Sequence, residues 1–93
     1  MEQKFIAAWK ENREKARALG ARIRPVEDGE AMKQAHRILG GHQDSDGFGI
    51  LADKGCLELS LEALAVDKRF TALFTDEEAN EALTRLLDAG YKF

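Results

Sequence analysis

Apolar residues recur at three- and four-residue steps along most of this chain, and nowhere do they alternate with period two over a useful length. A helix turns by about 100° per residue, so this spacing gathers apolar side chains into one stripe that must be buried. A half-buried strand would need alternation instead. The chain is therefore predicted to be all-α, with four helical stretches separated by turn-like breaks.

In the first stretch Phe5, Ile6, Trp9, Ala16, Leu19 and Ile23 form the stripe, while Lys4, Lys10, Glu11, Arg13, Glu14 and Lys15 fill the other faces. This stripe assigns Phe5 and Trp9 to the core rather than to an exposed partner-binding pair. Pro25 interrupts the pattern, because it lacks an N–H and pushes Arg24 out of helical geometry. The second stretch, Asp28 to Leu39, sets Ala31, Met32, Ala35, Ile38 and Leu39 on one side. Gly40-Gly41 is predicted to end it, since glycine readily adopts left-handed caps.

After the polar run His42-Gln43-Asp44-Ser45-Asp46-Gly47, the third stretch extends from Phe48 to Val66 and is apolar around much of its circumference. That pattern predicts the most buried helix of the fold. Phe70, Leu73 and Phe74 either extend it or form a separate turn. The fourth helix opens on Thr75-Asp76-Glu77-Glu78, a capping box in which Glu78 reaches back to the N-cap. Ala79, Ala82, Leu83, Leu86 and Leu87 supply its stripe and Gly90 closes it, after which Tyr91-Lys92-Phe93 either packs across the end of the fold or stays free. Four helices with short connections predict an antiparallel up-down-up-down four-helix bundle. At 93 residues, one domain spanning 1–93 is expected.

With 44% hydrophobic and 33% charged residues, the chain can fill a core and coat it, which argues against disorder. A net charge of −3 with both signs interspersed offers no basic face for nucleic acid or for an anionic membrane. Charge interrupts the N-terminal segment before a signal-peptide core can form, and no later segment reaches spanning length, so a cytoplasmic location is expected. Cys56 stands alone, excluding an internal disulfide, and its apolar surroundings favour a small core residue over a reactive thiol. Nucleophile elbow, phosphate-cradling glycine loop and paired catalytic carboxylates are all lacking. A self-contained enzyme is therefore not expected, and no cofactor is assigned.

One side chain stands out against this background. With Ala35 at the centre of the buried face, Met32, Leu39, Ala31 and Ile38 fall within about 60° of it, and His36 lies near 100°, at the stripe's edge. Gly29, Lys33 and Gly40 form its outer flank, and two of these have no side chain. An accessible, neutral, oriented imidazole is what phosphoryl transfer through histidine needs.

The run Ala35-His36-Arg37-Ile38-Leu39-Gly40, followed by Gly47-Phe48, Leu51 and Leu57-Glu58, resembles the signature of histidine-containing phosphotransfer (HPt) domains. That signature is an Ala-His-x-Leu-x-Gly run on the second bundle helix, then glycine with an apolar residue, then Leu-Glu on the third. Phe5 and the spacing of the first helix extend the likeness over most of the chain.

The resemblance implies that His36 carries the phosphoryl group in a two-component phosphorelay, taking it from a histidine kinase or a receiver aspartate and passing it to another receiver aspartate. Gly40 would be the small residue that lets a receiver dock, and the receiver would supply magnesium and most of the catalytic charge. Lys33, Arg37 and Gly40 are the expected partner contacts. Leu39 stands where the family usually carries a lysine, which would lean over the imidazole.

Two other readings compete. The chain could be a non-catalytic interaction module that keeps the docking face alone. The run from His42 to Asp53 could also be a calcium loop, with oxygen ligands at alternate positions and glycine at the sixth; a solvated turn has the same composition, and no metal ligand is assigned.

Overall fold

The helical spacing is realised in five α-helices among residues 1–41 and 43–92, which the computed structural model describes. These are α1 (Glu2–Ala18), α2 (Ala31–Gly40), α3 (Phe48–Asp53), α4 (Leu61–Val66) and α5 (Asp76–Asp88), with 3-10 turns at Leu57–Leu59 and Thr71–Leu73. No strand occurs among the described residues, and no helix among them is long and apolar enough to cross a membrane. The radius of gyration, 11.8 Å, is that of a compact chain of this length.

Several helix ends differ from the sequence expectation. α1 stops at Ala18, well before Pro25, because Gly20 takes a φ of +96° that side-chain-bearing residues rarely adopt. The N–H of Gly20 donates to the Arg17 carbonyl and that of Ala21 to the Ala16 carbonyl, both at 3.0 Å, which closes the helix end. α2 begins at Ala31 rather than Asp28, since residues 28–30 form a turn in which the Glu30 N–H donates to the Glu27 carbonyl. The Asp28 carboxylate pairs with Lys10 of α1 instead. At the other end Gly41 is extended, with φ −84° and ψ 179°, so α2 is not stopped by a left-handed glycine.

The third stretch is not one helix. The chain turns at Lys54-Gly55, and Ser60 starts α4 as its N-cap, accepting from the Ala63 N–H at 3.1 Å and donating to the Leu57 carbonyl at 2.7 Å. α3 buries Phe48 and Leu51 in one apolar cluster with Ala16, Ala21, Leu57 and Leu86; α4 buries Leu61, Leu64 and Ala65 in another with Phe5, Trp9, Ala35, Leu39, Phe70 and Phe74. Two short helices facing different clusters give the all-round apolar pattern that a single 19-residue reading folds into one circumference. Phe70 and Phe74 flank the Thr71–Leu73 turn and are both buried. Cys56 and Tyr91 are half-buried against the α3 cluster, while Phe93 lies outside the described residues.

A buried polar knot joins α2, the following loop, α4 and α5. Glu62 is fully buried and receives the Arg85 Nη1 at 3.1 Å, the Ser45 backbone N–H at 2.9 Å and the Ser45 hydroxyl. Arg85 Nη2 donates to the carbonyls of Gly41 at 2.9 Å and Ile38 at 3.3 Å, and its Nε donates to Glu81 at 3.1 Å. Arg85 thereby takes over the capping of α2 that no left-handed glycine performs, satisfying carbonyls that the helix end leaves open.

Gly47 precedes α3 with a φ of +74°, and a Cβ there would lie 2.9 Å from the Ala21 Cβ and 3.2 Å from Ile23 Cγ1. Gly47→Ala is expected to destabilise the fold by more than the roughly 1–2 kcal/mol of the left-handed conformation alone, because the overlap adds to it. A urea unfolding midpoint within error of the wild type would show that the loop yields freely.

Candidate functional site

The register of α2 decides what His36 can do. Ala35 and Leu39 are in the core, at 0% and 1% exposure, and His36 stands one step around the helix with 41% of its side chain exposed. α2 packs against α5, and this contact brings the first turn of α5 to the imidazole. His36 Nδ1 lies 2.7 Å from Glu78 Oε2. The Phe74 ring meets the imidazole edge-on with centroids 5.5 Å apart, and Phe74 in turn packs on Phe5 at 5.3 Å.

Glu78 has two tasks, one for each carboxylate oxygen. Oε1 accepts from the Thr75 N–H at 2.9 Å and completes the capping box, while the Thr75 hydroxyl accepts from the Glu78 N–H at 3.1 Å. Oε2 is left for His36. Partial burial pushes the Glu78 carboxyl up, yet the hydrogen bonds from the Thr75 N–H and from His36 outweigh it and hold the group below the ordinary glutamate range. Near neutral pH Glu78 is thus an anion, and an anionic carboxylate only accepts. Nδ1 of His36 therefore carries the proton, and in the neutral ring Nε2 carries the lone pair. The ring is held by a hydrogen bond on one side and an aromatic contact on another, while two-fifths of the side chain faces solvent.

Beside it the helix surface is bare. A Cβ built at Gly40, one turn on from His36, would meet nothing within 4 Å, whereas Gly29, expected on the same flank, lies in the turn before α2. Lys33 is 75% exposed and leans to Glu30 at 3.8 Å, so it contributes charge to the neighbourhood without touching the imidazole. Arg37 is exposed and lines a cavity described below. Position 39 belongs to the core, so a lysine there would drive its ammonium inward instead of over His36; leucine fills the space.

Sequence reasoning missed Glu78 as part of this site. Its capping role was legible from Thr75-x-x-Glu78, but the second oxygen serves a residue 42 positions away, which no local pattern can reveal. The aspartates of the 42–53 run do not converge. Asp46 accepts from the Arg24 N–H at 3.2 Å, Asp44 approaches Arg85 at 4.0 Å, Ser45 serves Glu62, and Asp53 is exposed at the end of α3. His42, the first position of the calcium reading, lies outside the described residues, and no group of three metal-ligating side chains occurs among those described.

No family model, curated protein or solved structure matches this chain. Its functional reading rests on the residues around His36 and on the likeness of its motif.

Proposed function

We propose that this chain is a histidine phosphotransfer protein of a two-component phosphorelay. In this reading it is an HPt-like up-down-up-down bundle, with α3 and α4 together forming the third leg, and it works in the cytoplasm with a receiver domain, a histidine kinase, or both. The observation that supports it is the oriented, half-exposed His36 with Nδ1 on Glu78 and bare Gly40 on the next turn.

The chemistry follows from the tautomer. Nε2 attacks the phosphorus of an aspartyl phosphate in line with the leaving carboxylate, so that a P–N bond forms as the P–O bond breaks and the aspartate departs as its anion. Nε2 carries no proton in this tautomer, so the step needs no general base. Positive charge develops on the ring, and the Nδ1–H bond to the Glu78 carboxylate strengthens as it does. The partner's receiver brings its own metal ion; Gly40 leaves room for it to approach, and Lys33 sits at the rim to meet the phosphoryl charge.

Incubation with a radiolabelled phospho-receiver is expected to place acid-labile phosphate on the wild type and none on His36→Gln. Equal labelling of the two proteins would end the proposal. A second reading, a non-catalytic module with the same docking face, is favoured by the core placement of Leu39, which leaves no lysine over the imidazole. It expects receiver binding unchanged in His36→Gln and no acid-labile phosphate on either protein.

A further inference from the structure

A second feature lies on a different face of α2. Between α1, the segment 23–25, α2 and the start of α4 is a cavity of about 60 Å³. Trp9, Ile23, Ile38, Leu59 and Leu61 supply its apolar lining, and Trp9 is itself only 5% exposed.

The polar groups around the cavity are nearly all engaged with one another. Gln34 accepts from the Glu27 N–H at 3.1 Å and donates to the Pro25 carbonyl at 3.3 Å. The Ser60 hydroxyl donates to the Leu57 carbonyl and accepts from Ala63, and the Ser45 hydroxyl donates to Glu62. Asp46 and Arg24 pair at 3.3 Å and offset each other's charge. Arg37 differs: its guanidinium has no hydrogen-bond or ion-pair partner among the described residues. The lining therefore offers a molecule one apolar interior and one surplus positive charge.

We propose that this cavity binds a short-chain aliphatic carboxylate, its tail beside Trp9, Ile38, Leu59 and Leu61 and its carboxylate on Arg37. A cavity of about 60 Å³ is under half the roughly 150 Å³ that admits a benzene ring, so it takes a tail of about three carbons and no ring system. A carboxylate matches the planar fork of a guanidinium in two parallel hydrogen bonds. An amine would be repelled by Arg37, and an alcohol would forgo the ion pair. The proposal is independent of phosphotransfer at His36, although it puts a ligand one residue away on the same helix.

The test titrates the full chain with sodium butyrate, butan-1-ol and butylammonium chloride at constant ionic strength. The readouts are emission of Trp9, the one tryptophan of the chain, and backbone amide shifts. Butyrate is expected to saturate, changing Trp9 emission and shifting Ile38, Leu59 and Leu61, with the alcohol about tenfold weaker and the ammonium weaker still. Arg37→Gln, an exposed change that leaves the unfolding midpoint in place, is expected to weaken butyrate about tenfold, to the affinity of the alcohol. The proposal fails if butyrate gives no saturable response, if acid and alcohol bind alike, or if Arg37→Gln leaves the butyrate affinity unchanged.

Discussion

Arg85→Leu is expected to remove about 3–5 kcal/mol of folding stability, a large share of the roughly 5–15 kcal/mol by which domains are stable. The loss comes less from the attraction itself than from what remains behind. Glu62 is fully buried, and without Arg85 its carboxylate keeps only the two donors of Ser45. The carbonyls of Ile38 and Gly41 lose their donor at the same time, so the C-terminal end of α2 frays. The paired replacement Glu62→Leu with Arg85→Leu is expected to recover much of the loss, because removing both charges removes the desolvation penalty that a lone one incurs. Urea unfolding of the two variants checks this. A single variant within about 1 kcal/mol of the wild type would mean that water reaches the knot and that it does not organise α2.

Phe5→Ala is expected to cost about 3–5 kcal/mol and to disturb the site from a distance. The Phe5 side chain is fully buried, and its ring meets those of Trp9, Phe70 and Phe74 at 5.7, 5.6 and 5.3 Å. Removing it opens a cavity at the centre of the α1 and α4 cluster and takes away the support on which Phe74 rests. Phe74 is the aromatic neighbour of His36, so the imidazole resonances should shift or broaden in folded Phe5→Ala under conditions where the backbone spectrum outside this cluster is unchanged. Unfolding by urea together with the ring proton spectrum of His36 tests both parts. An unshifted imidazole would show that Glu78 alone orients the ring.

These two predictions separate what sequence could reveal about the site from what it could not. The exposure of His36 follows from counting around α2 from Ala35, since a helix imposes its own angular order and both residues lie on one element. The open flank at Gly40 is legible for the same reason, whereas Gly29 falls in the turn before α2 and outside that count. Glu78 and Arg85 are different. Each has an evident local role, Glu78 in the capping box and Arg85 in an i,i+4 pair with Glu81, and each also serves a residue on α2 that only the packing of α2 on α5 brings within reach. Leu39 shows the same limit from the other side, because its meaning depends on whether position 39 faces the imidazole or the core.

The third helical stretch failed as one element for a related reason. Helical period records which residues seek burial, not which of two apolar clusters receives them. Gly55 and Ser60 interrupt the chain between Phe48 and Val66, yet the apolar run continues across both. Where α1 ends was decided by the left-handed conformation of Gly20 rather than by the more conspicuous Pro25.

What the chain by itself determined was the all-helical class, the capped start of α5 and the edge position of His36, since propensity, capping and periodicity act over a few neighbouring residues. Tertiary structure alone decided that the Glu78 carboxylate accepts from Nδ1–H of the imidazole and leaves Nε2 its lone pair, that Arg85 closes α2, and that Arg37 lines a cavity. Those outcomes depend on distances of about 3 Å between side chains far apart in the chain, and hydrogen bonds of that length exist only once the helices have packed.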